Sequence, residues 1–586
     1  KEQIYFFHDQ VQAAAESFLD DTKKQQVHKK IATAFIAAIP EHSNIELLPN
    51  LFSIVEHLQL GRELNQTDES KKQEAEFNYY AGKAAMQALA MENANFFFHQ
   101  SLQLFPNHSW DLYYDFLFSL HKYLARTEMA LGNQPASEKI LKTLLDESKN
   151  DLDRIDCLYE QTTGLSSMGR FKQAIDVGNR GLSFFNRQIP EDDELALKRS
   201  AEIIDQIHRD DSNIWQQILT ITPSGDRATK IETGIYSELI PDYYLSGMVP
   251  QLYLSAIQST QNCLSGGVDE TVIYGFSMVG LYLQRKGQYE RSFNYEDLGL
   301  ALSDRYPDTF GATKGINGIL WTNMHNRRNS EYIIEQCQKN IHRGKNCGDL
   351  YNAGLSYGPY IWHLITQGQD LIKVSEVADE CWHFSRKFNL SLSLGLAQSA
   401  IAGWSNLMVT GEQSFNPVQM KEKLELWEHD KHVVSIGGYF TLKGISQYYL
   451  GDYLAAEQAL RQAQPYLRGL SDNILNRLWY VFWFVNALRL HQNIVADDLV
   501  ELKSCLKQVK TWSTFGPILK PYFLLMKMEN SLHQNDSSNF RRYAFDAIDL
   551  AVKNKFTLLE AYINERLGRN YIEQQHEHAN YHLTRA

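Results

Sequence analysis

The sequence predicts an all-α solenoid, a stack of helical hairpins, and three observations carry that expectation. Apolar residues recur at i, i+3, i+4 and i+7 over long stretches, whereas alternating β-branched runs bounded by turn residues are scarce. Only 14 prolines punctuate 586 residues. A short unit also recurs: a Gly, an aromatic two positions later, then small or apolar residues five, nine and twelve positions after the Gly. At this length the chain exceeds the roughly 250–300 residues at which one core stops growing, so it forms several domains or an elongated array.

The unit is fullest at Gly169, Phe171, Ala174, Gly178, Gly181 and at Gly451, Tyr453, Ala456, Leu460, Ala463. A third copy, Gly287, Tyr289, Ser292, Glu296, Gly299, puts an acid at one of its positions. Partial copies are Ala94, Phe98, Ser101, Pro106 and Phe540, Tyr543, Ala547, Leu550. The Gly permits a tight turn, the aromatic wedges between two helices, and the small residues let the second helix approach its neighbours. One amphipathic helix shows such a stripe by itself; several copies in series, each behind another helical segment, point to hairpins. The unit resembles the second helix of a tetratricopeptide repeat (TPR), and its irregular intervals predict a TPR-like α-solenoid of degenerate, variable-length hairpins. A solenoid of this kind contacts only neighbouring repeats and flexes along its length.

Organisation follows from where the pattern breaks. Residues 61–186 form a first TPR-like array and 229–586 a second. Between them, 187–228 mixes NRQIPEDDELALKRS with ITPSGDRAT, acidic runs with Pro, Gly and Ser. That segment is a connection between two arrays or a long surface loop inside one.

A formal charge of −13 argues against general nucleic-acid binding, which needs Lys and Arg to displace counterions. The six cysteines contain no C-x-x-C pair, so the sequence points to no zinc site or disulfide framework, and reduced thiols in a cytoplasm are the simple reading. The most apolar run, LWYVFWFVNAL from Leu478 to Leu488, is half the ~20 residues a membrane span needs and reads as a buried helix. The chain begins at Lys1 without Met and stops in ANYHLTRA without a helix stop signal, so it is expected to be a piece of a longer protein.

Motifs for chemistry are sparse. No G-x-x-x-x-G-K-[ST] and no kinase signature is present. A literal G-x-S-x-G at Gly354–Gly358 spells a nucleophile elbow around Ser356, but its surroundings read as a helix, where the strand-to-turn mechanics are missing. His576, His578 and His582 form H-x-H-x-x-x-H without a general-base Glu between His578 and His582, and read as an exposed terminal helix. No catalytic, cofactor-binding or metal-binding residue is assigned. The densest polar-aromatic group is Trp321, His325, Arg327 and Arg328, facing Tyr357, Tyr360, Trp362 and His363. These line a groove for a peptide or anionic ligand, or form an aromatic core seam with solvated arginines.

Several runs are similar to a known family. YFFHDQVQAAAESFL from Tyr5 resembles the F-x-H-D-x-V-x-x-A-A segment that follows the nucleotide-binding module in bacterial multidomain signalling ATPases of the STAND class. LFSIVEHLQLG from Leu51, AEFNYYAGKAAMQALAMENANFFFHQSLQLFP from Ala75, MGRFKQAIDVGNRGLSFF from Met168, YGFSMVGLYLQRKGQYERSFNYEDLGLAL from Tyr274 and GDLYNAGLSYGPYIWHLITQGQDL from Gly348 resemble its later segments in order. The resemblance implies that residues 1–60 are a helical segment following an ATPase module, and that the parent carries ATPase and histidine or serine/threonine kinase modules. It implies a non-catalytic regulatory and protein-interaction region, whose partners are a protein or peptide, including other modules of the parent, or a small-molecule effector. A free-standing TPR scaffold that captures client C-terminal carboxylates is the alternative; it needs a Lys/Asn/Arg clamp converging from successive first helices.

Overall fold

The computed structural model describes residues 18–586 except 41–42, 65–66, 89, 106–109, 169, 211–217, 223–225, 412–415, 430–431, 468, 471, 492–495 and 575–577. Gly169, His576, Pro106 and most of the run from Tyr5 therefore lie outside the described residues. Among the described residues every regular element is a helix and no strand occurs. The chain divides into two compact units, Lys1–Gln188 and Ile189–Ala586.

The first unit contains α1 (Asp21–Ala37), α2 (Leu51–Leu60), α3 (Asp68–Gln87), α4 (Met91–Gln103), α5 (Trp110–Ala130), α6 (Gln134–Glu147), α7 (Asp151–Ser167) and α8 (Phe171–Ser183). The second begins with α9 (Asp193–Ile207), α10 (Arg227–Leu245), α11 (Val249–Gly266), α12 (Val272–Arg285), α13 (Tyr289–Arg305), α14 (Phe310–Thr322), α15 (Ser330–Cys347), α16 (Leu350–Gln367) and α17 (Leu371–Lys387). It continues with α18 (Ser391–Ala400), a π-turn (Ile401–Ser405), α19 (Asn406–Thr410), α20 (Pro417–His429), α21 (Val433–Tyr449) and α22 (Tyr453–Ala463). Its last helices are α23 (Ile474–Leu490), α24 (Ala496–Trp512), α25 (Leu519–His533), α26 (Ser537–Lys553), α27 (Thr557–Glu573) and α28 (Ala579–Arg585).

Helices pair as hairpins, α3 with α4, α5 with α6 and α7 with α8 in the first unit, and α10 with α11, α12 with α13, α21 with α22 and α25 with α26 in the second. First helices of successive hairpins also pack on one another, α5 on α7, α12 on α14, α21 on α23 and α23 on α25. Each unit is thus a TPR-like α-solenoid. The segment 187–228 carries α9, which packs on α11.

The recurring unit explains the hairpins. Gly287 and Gly451 turn the chain at φ +74° and +84°, a left-handed conformation that L side chains disfavour. Ala94, Ala174, Ser292 and Ala456 are fully buried where the second helix approaches its partner. The first helix is correspondingly small: Gly82 faces the Phe98 ring and Gly444 faces Leu460, with no room for a Cβ. Elsewhere Asn186, Asn389, Asn535 and Lys555 take the left-handed conformation in place of Gly.

Leu478–Leu488 lies in α23 with most of its side chains buried, and no described helix is long and apolar enough to cross a membrane. Cys157, Cys263, Cys337, Cys381 and Cys505 are buried free thiols, and Cys347 is half-buried.

The second unit departs from the expectation that a solenoid touches only neighbouring repeats. Tyr244 donates to the Gly469 carbonyl at 3.1 Å across 225 residues, and Tyr522 to the Thr366 carbonyl at 3.0 Å across 156. Lys555 pairs with Glu331 at 2.5 Å across 224 residues. Asp472, itself at φ +64°, sits between Arg285 at 2.7 Å and Arg477 at 3.2 Å. The Arg477 guanidinium lies 3.7 Å over Trp512, and Tyr289 stacks on Phe515 at 4.0 Å. At Gly516 the chain abuts the Asn326 backbone, where no Cβ fits. Burial opposes the charge on Asp472, but Arg477 and Arg285 outweigh it and hold its carboxyl below the ordinary range. The physical reason for the departure is length. Enough hairpins are stacked for one stretch of the coil to reach another, and Asp472 and Glu331 meet their cations there.

Candidate functional site

In the first unit, α3, α5 and α7 are the first helices of consecutive hairpins, and they set polar and aromatic side chains side by side. Tyr79 of α3 shares a 2.7 Å hydrogen bond with Ser119 of α5. Lys122 of α5 reaches Asp156 at 2.7 Å and Glu160 at 3.3 Å on α7. Arg126, one turn beyond Lys122, forks onto Glu160, its Nε at 2.7 Å and its Nη2 on the other oxygen. Tyr123 lies between two cations, with Lys83 Nζ and the Arg126 guanidinium each 5.6 Å from its ring centre. Its half-buried hydroxyl makes no hydrogen bond among the described residues. Lys83 is held in turn by Glu46.

The layering is what matters electrostatically. The acids lie underneath, with the Glu160 side chain 3% exposed, while the Arg126 side chain is 45% exposed. A buried carboxylate needs its cations, so the guanidinium and ammonium groups are fixed in place and present their remaining N–H donors outward beside tyrosine faces. The face is a rigid row of donors and aromatic rings at near-neutral local charge.

The pattern was written in the sequence. The basic i, i+4 pair Lys122 and Arg126 is followed 34 residues later by the acidic i, i+4 pair Asp156 and Glu160. Sequence reading missed it because it sought convergent basic residues. The cations that a terminal-carboxylate clamp would use here are already held by Asp156 and Glu160.

The group read around Trp321 is distributed over several contacts. Trp321 donates its indole N–H to the Leu355 carbonyl and meets Trp362 edge-on at 5.0 Å. His325 and Trp362 are each 1% exposed. Burial drives the His325 pKa well below the ordinary value, with Arg477 and His363 adding to it, and burial takes His363 down to about 3. Arg327 and Arg328 both bind Glu296, each at 3.0 Å, and Asp297 at 2.5 and 2.6 Å. Glu296, the acid that breaks the third repeat copy, is thus the buried partner of two arginines. Tyr357 bonds Glu380 at 2.5 Å, and Tyr360 accepts from Gln338 at 2.7 Å. His325, Tyr357, Tyr360 and Trp362 are all buried, so what this group presents to solvent is the half-buried Trp321, Arg327 and Arg328, with Asp297 beside the arginines.

Ser356 sits inside α16, fully buried, accepting from Asn340 and donating to the Asn352 carbonyl. Gly354 and Gly358 face Ser393 and Leu396, so the glycines serve helix packing and no elbow is formed. His582 is buried against Tyr571 and bonds Asn564 at 2.8 Å.

No family model matches this chain, and no curated protein matches it. Among solved structures, a Rap protein complexed with Competence and Sporulation Factor is 10% identical, with 74% of this chain and 96% of that one covered at a TM-score of 0.36. The APC/C hetero-tetramer Cut9–Hcn1 is 12% identical, with 89% and 94% covered at 0.38. Naa15/Naa10 bound to HypK-THB is 11% identical, with 94% and 97% covered at 0.21. Likeness at this level carries no argument about function, and the fold assignment rests on the hairpins themselves.

Proposed function

We propose that this chain is a non-catalytic helical-repeat region for protein interaction and regulation, and that the first-helix face of α3, α5 and α7 docks an extended polypeptide segment. The observation that carries this reading is the Tyr123 hydroxyl, unbonded and flanked by Lys83 and Arg126, whose positions Glu46 and Glu160 fix. A segment laid across it gains hydrogen bonds and ring contacts without ordering loose side chains, which lowers the entropic cost of binding. The finer reading is that the segment belongs to a cytoplasmic STAND-type signalling protein and couples partner binding to ATPase and kinase modules. The ordered sequence resemblance supports it. Coupling then arises because the partner favours one arrangement of the modules over another. Capture of terminal carboxylates by a free-standing scaffold is the weaker reading, because Asp156 and Glu160 occupy the cations such a clamp needs.

The test is the double charge reversal Lys122→Glu, Arg126→Glu in a longer chain carrying the flanking modules, read by ATP turnover and phosphotransfer, with a photo-crosslinking amino acid at position 123 read in parallel. The proposal expects altered turnover or response and a crosslink to a polypeptide that the reversal abolishes. Unchanged turnover together with no crosslink refutes it.

A further inference from the structure

Lys122, Arg126, Arg327, Arg328, Arg477 and Arg566 each hold a carboxylate. Two other cations share a tyrosine ring instead. On the surface between α25 and α26, Lys527 lies with its ammonium 3.9 Å from the centre of the Tyr543 ring, and the Arg542 guanidinium lies 4.7 Å from the same ring. Arg542 Nη2 donates to the Tyr543 hydroxyl at 2.9 Å. Among the described residues neither cation is in an ion pair. The carboxylate that feels Arg542 is Asp536, which is occupied in capping α26 through Asn539 N and Nδ2 at 3.0 and 2.6 Å. Asp546, one turn further along α26, pairs with neither cation. Arg541, which precedes Arg542, turns away to Gln574.

The site is therefore a set of donors without an acceptor. The hydroxyl oxygen accepts from Arg542, so its own O–H is left to point outward, beside three ammonium and several guanidinium N–H groups. Two like charges held against one ring repel, and among the described residues no carboxylate bonds either of them. The Lys527 ammonium first, and then Arg542, keep the Tyr543 hydroxyl below its ordinary pKa, burial opposing. From this convergence we infer that Lys527, Arg542 and Tyr543 form a binding site for an oxyanion, the phosphate or carboxylate group of a ligand. Charge-assisted bonds from two cations and one hydroxyl would hold it, with the phenol ring as the floor.

Calorimetric titration of the whole chain with inorganic phosphate and, separately, acetate at constant ionic strength tests this. Saturable binding is expected, weakened about tenfold or more by Lys527→Met and by Arg542→Met, and less by Tyr543→Phe. These side chains are at the surface, so unchanged thermal midpoints will show that the variants fold. Arg154→Met, which removes a cation paired with Asp151, should leave phosphate binding intact. Tighter phosphate binding identifies a phosphorylated ligand, and comparable acetate binding an acidic one. Absence of saturable binding by either anion, or binding indifferent to both Met substitutions, overturns the site.

Discussion

The two units use one building block and arrive at different mechanical ends. In Lys1–Gln188 the ion pairs that join hairpins, such as Lys122 to Asp156 and Arg126 to Glu160, run to the next hairpin 34 residues on. They leave a half-exposed row of donors and rings. In Ile189–Ala586 the same hairpin step is present, as in Arg566 to Glu529 across 37 residues, but contacts across 156 to 225 residues are added. Those contacts take up polar groups that would otherwise face solvent. Arg477 is the clearest case: its side chain is 5% exposed, packed on Trp512 and bound to Asp472. Stacking hairpins makes a surface, and stacking enough of them lets the surface be spent on the protein itself. The first unit leaves its row at the surface for the docking role proposed above, and the second turns much of its polar surface inward.

The largest expected effect breaks the second unit at its seam. Asp472→Ala leaves Arg477 buried without its carboxylate, and loss of one partner of a buried pair costs about 3–5 kcal/mol. Denaturant unfolding should show the transition of the second unit falling by that amount while the first is unmoved. Because the folded pKa of Asp472 is depressed, its contribution is complete above the ordinary carboxylate value of 3.8 and is lost as the pH falls through the lower folded value. The gap between wild type and variant should therefore narrow in acid.

A smaller effect comes from Gly516→Ala, whose methyl meets the Asn326 backbone instead of a flexible side chain. Overpacking at such a place costs about 1–3 kcal/mol, and accelerated hydrogen exchange around 324–326 and 513–518 should accompany it. The smallest stability effect is expected in the first unit. Arg126→Met removes a half-exposed cation, and Lys122 still holds Glu160 at 3.3 Å, so stability should fall by at most about 1 kcal/mol. Crosslinking of a partner through position 123 should nevertheless fall sharply. A large stability loss with unchanged docking would reverse the roles given to the two units.

What the sequence disclosed follows the range of the interaction. Turns at Gly287 and Gly451 and the buried Ala174, Ser292 and Ala456 are local, and their spacing was readable. The hairpin turned by Asn535 shows only as a partial copy and the turn at Lys555 not at all, since side chains at these positions tolerate or are forced into the same left-handed backbone that Gly takes elsewhere. Glu296 was visible as an irregularity, but its meaning lay in Arg327 and Arg328, on the far side of α14. Arg285 and Asp472 are 187 residues apart and share no motif. Their proximity is set by how far each hairpin rotates on the last, a quantity that no spacing in the chain records.

The closure of the second unit is tested most directly by zero-length carbodiimide coupling followed by mass spectrometry. Lys555 and Glu331 are exposed at 2.5 Å and 224 residues apart, while Lys339 and Glu335, at 2.6 Å within one helix, report that the chemistry has worked. An equal mixture of light and heavy-isotope chains separates intramolecular from intermolecular links. The closed coil predicts an intramolecular Lys555–Glu331 amide recovered alongside the Lys339–Glu335 control. Recovery of the control alone, or of Lys555–Glu331 only between chains, would contradict it.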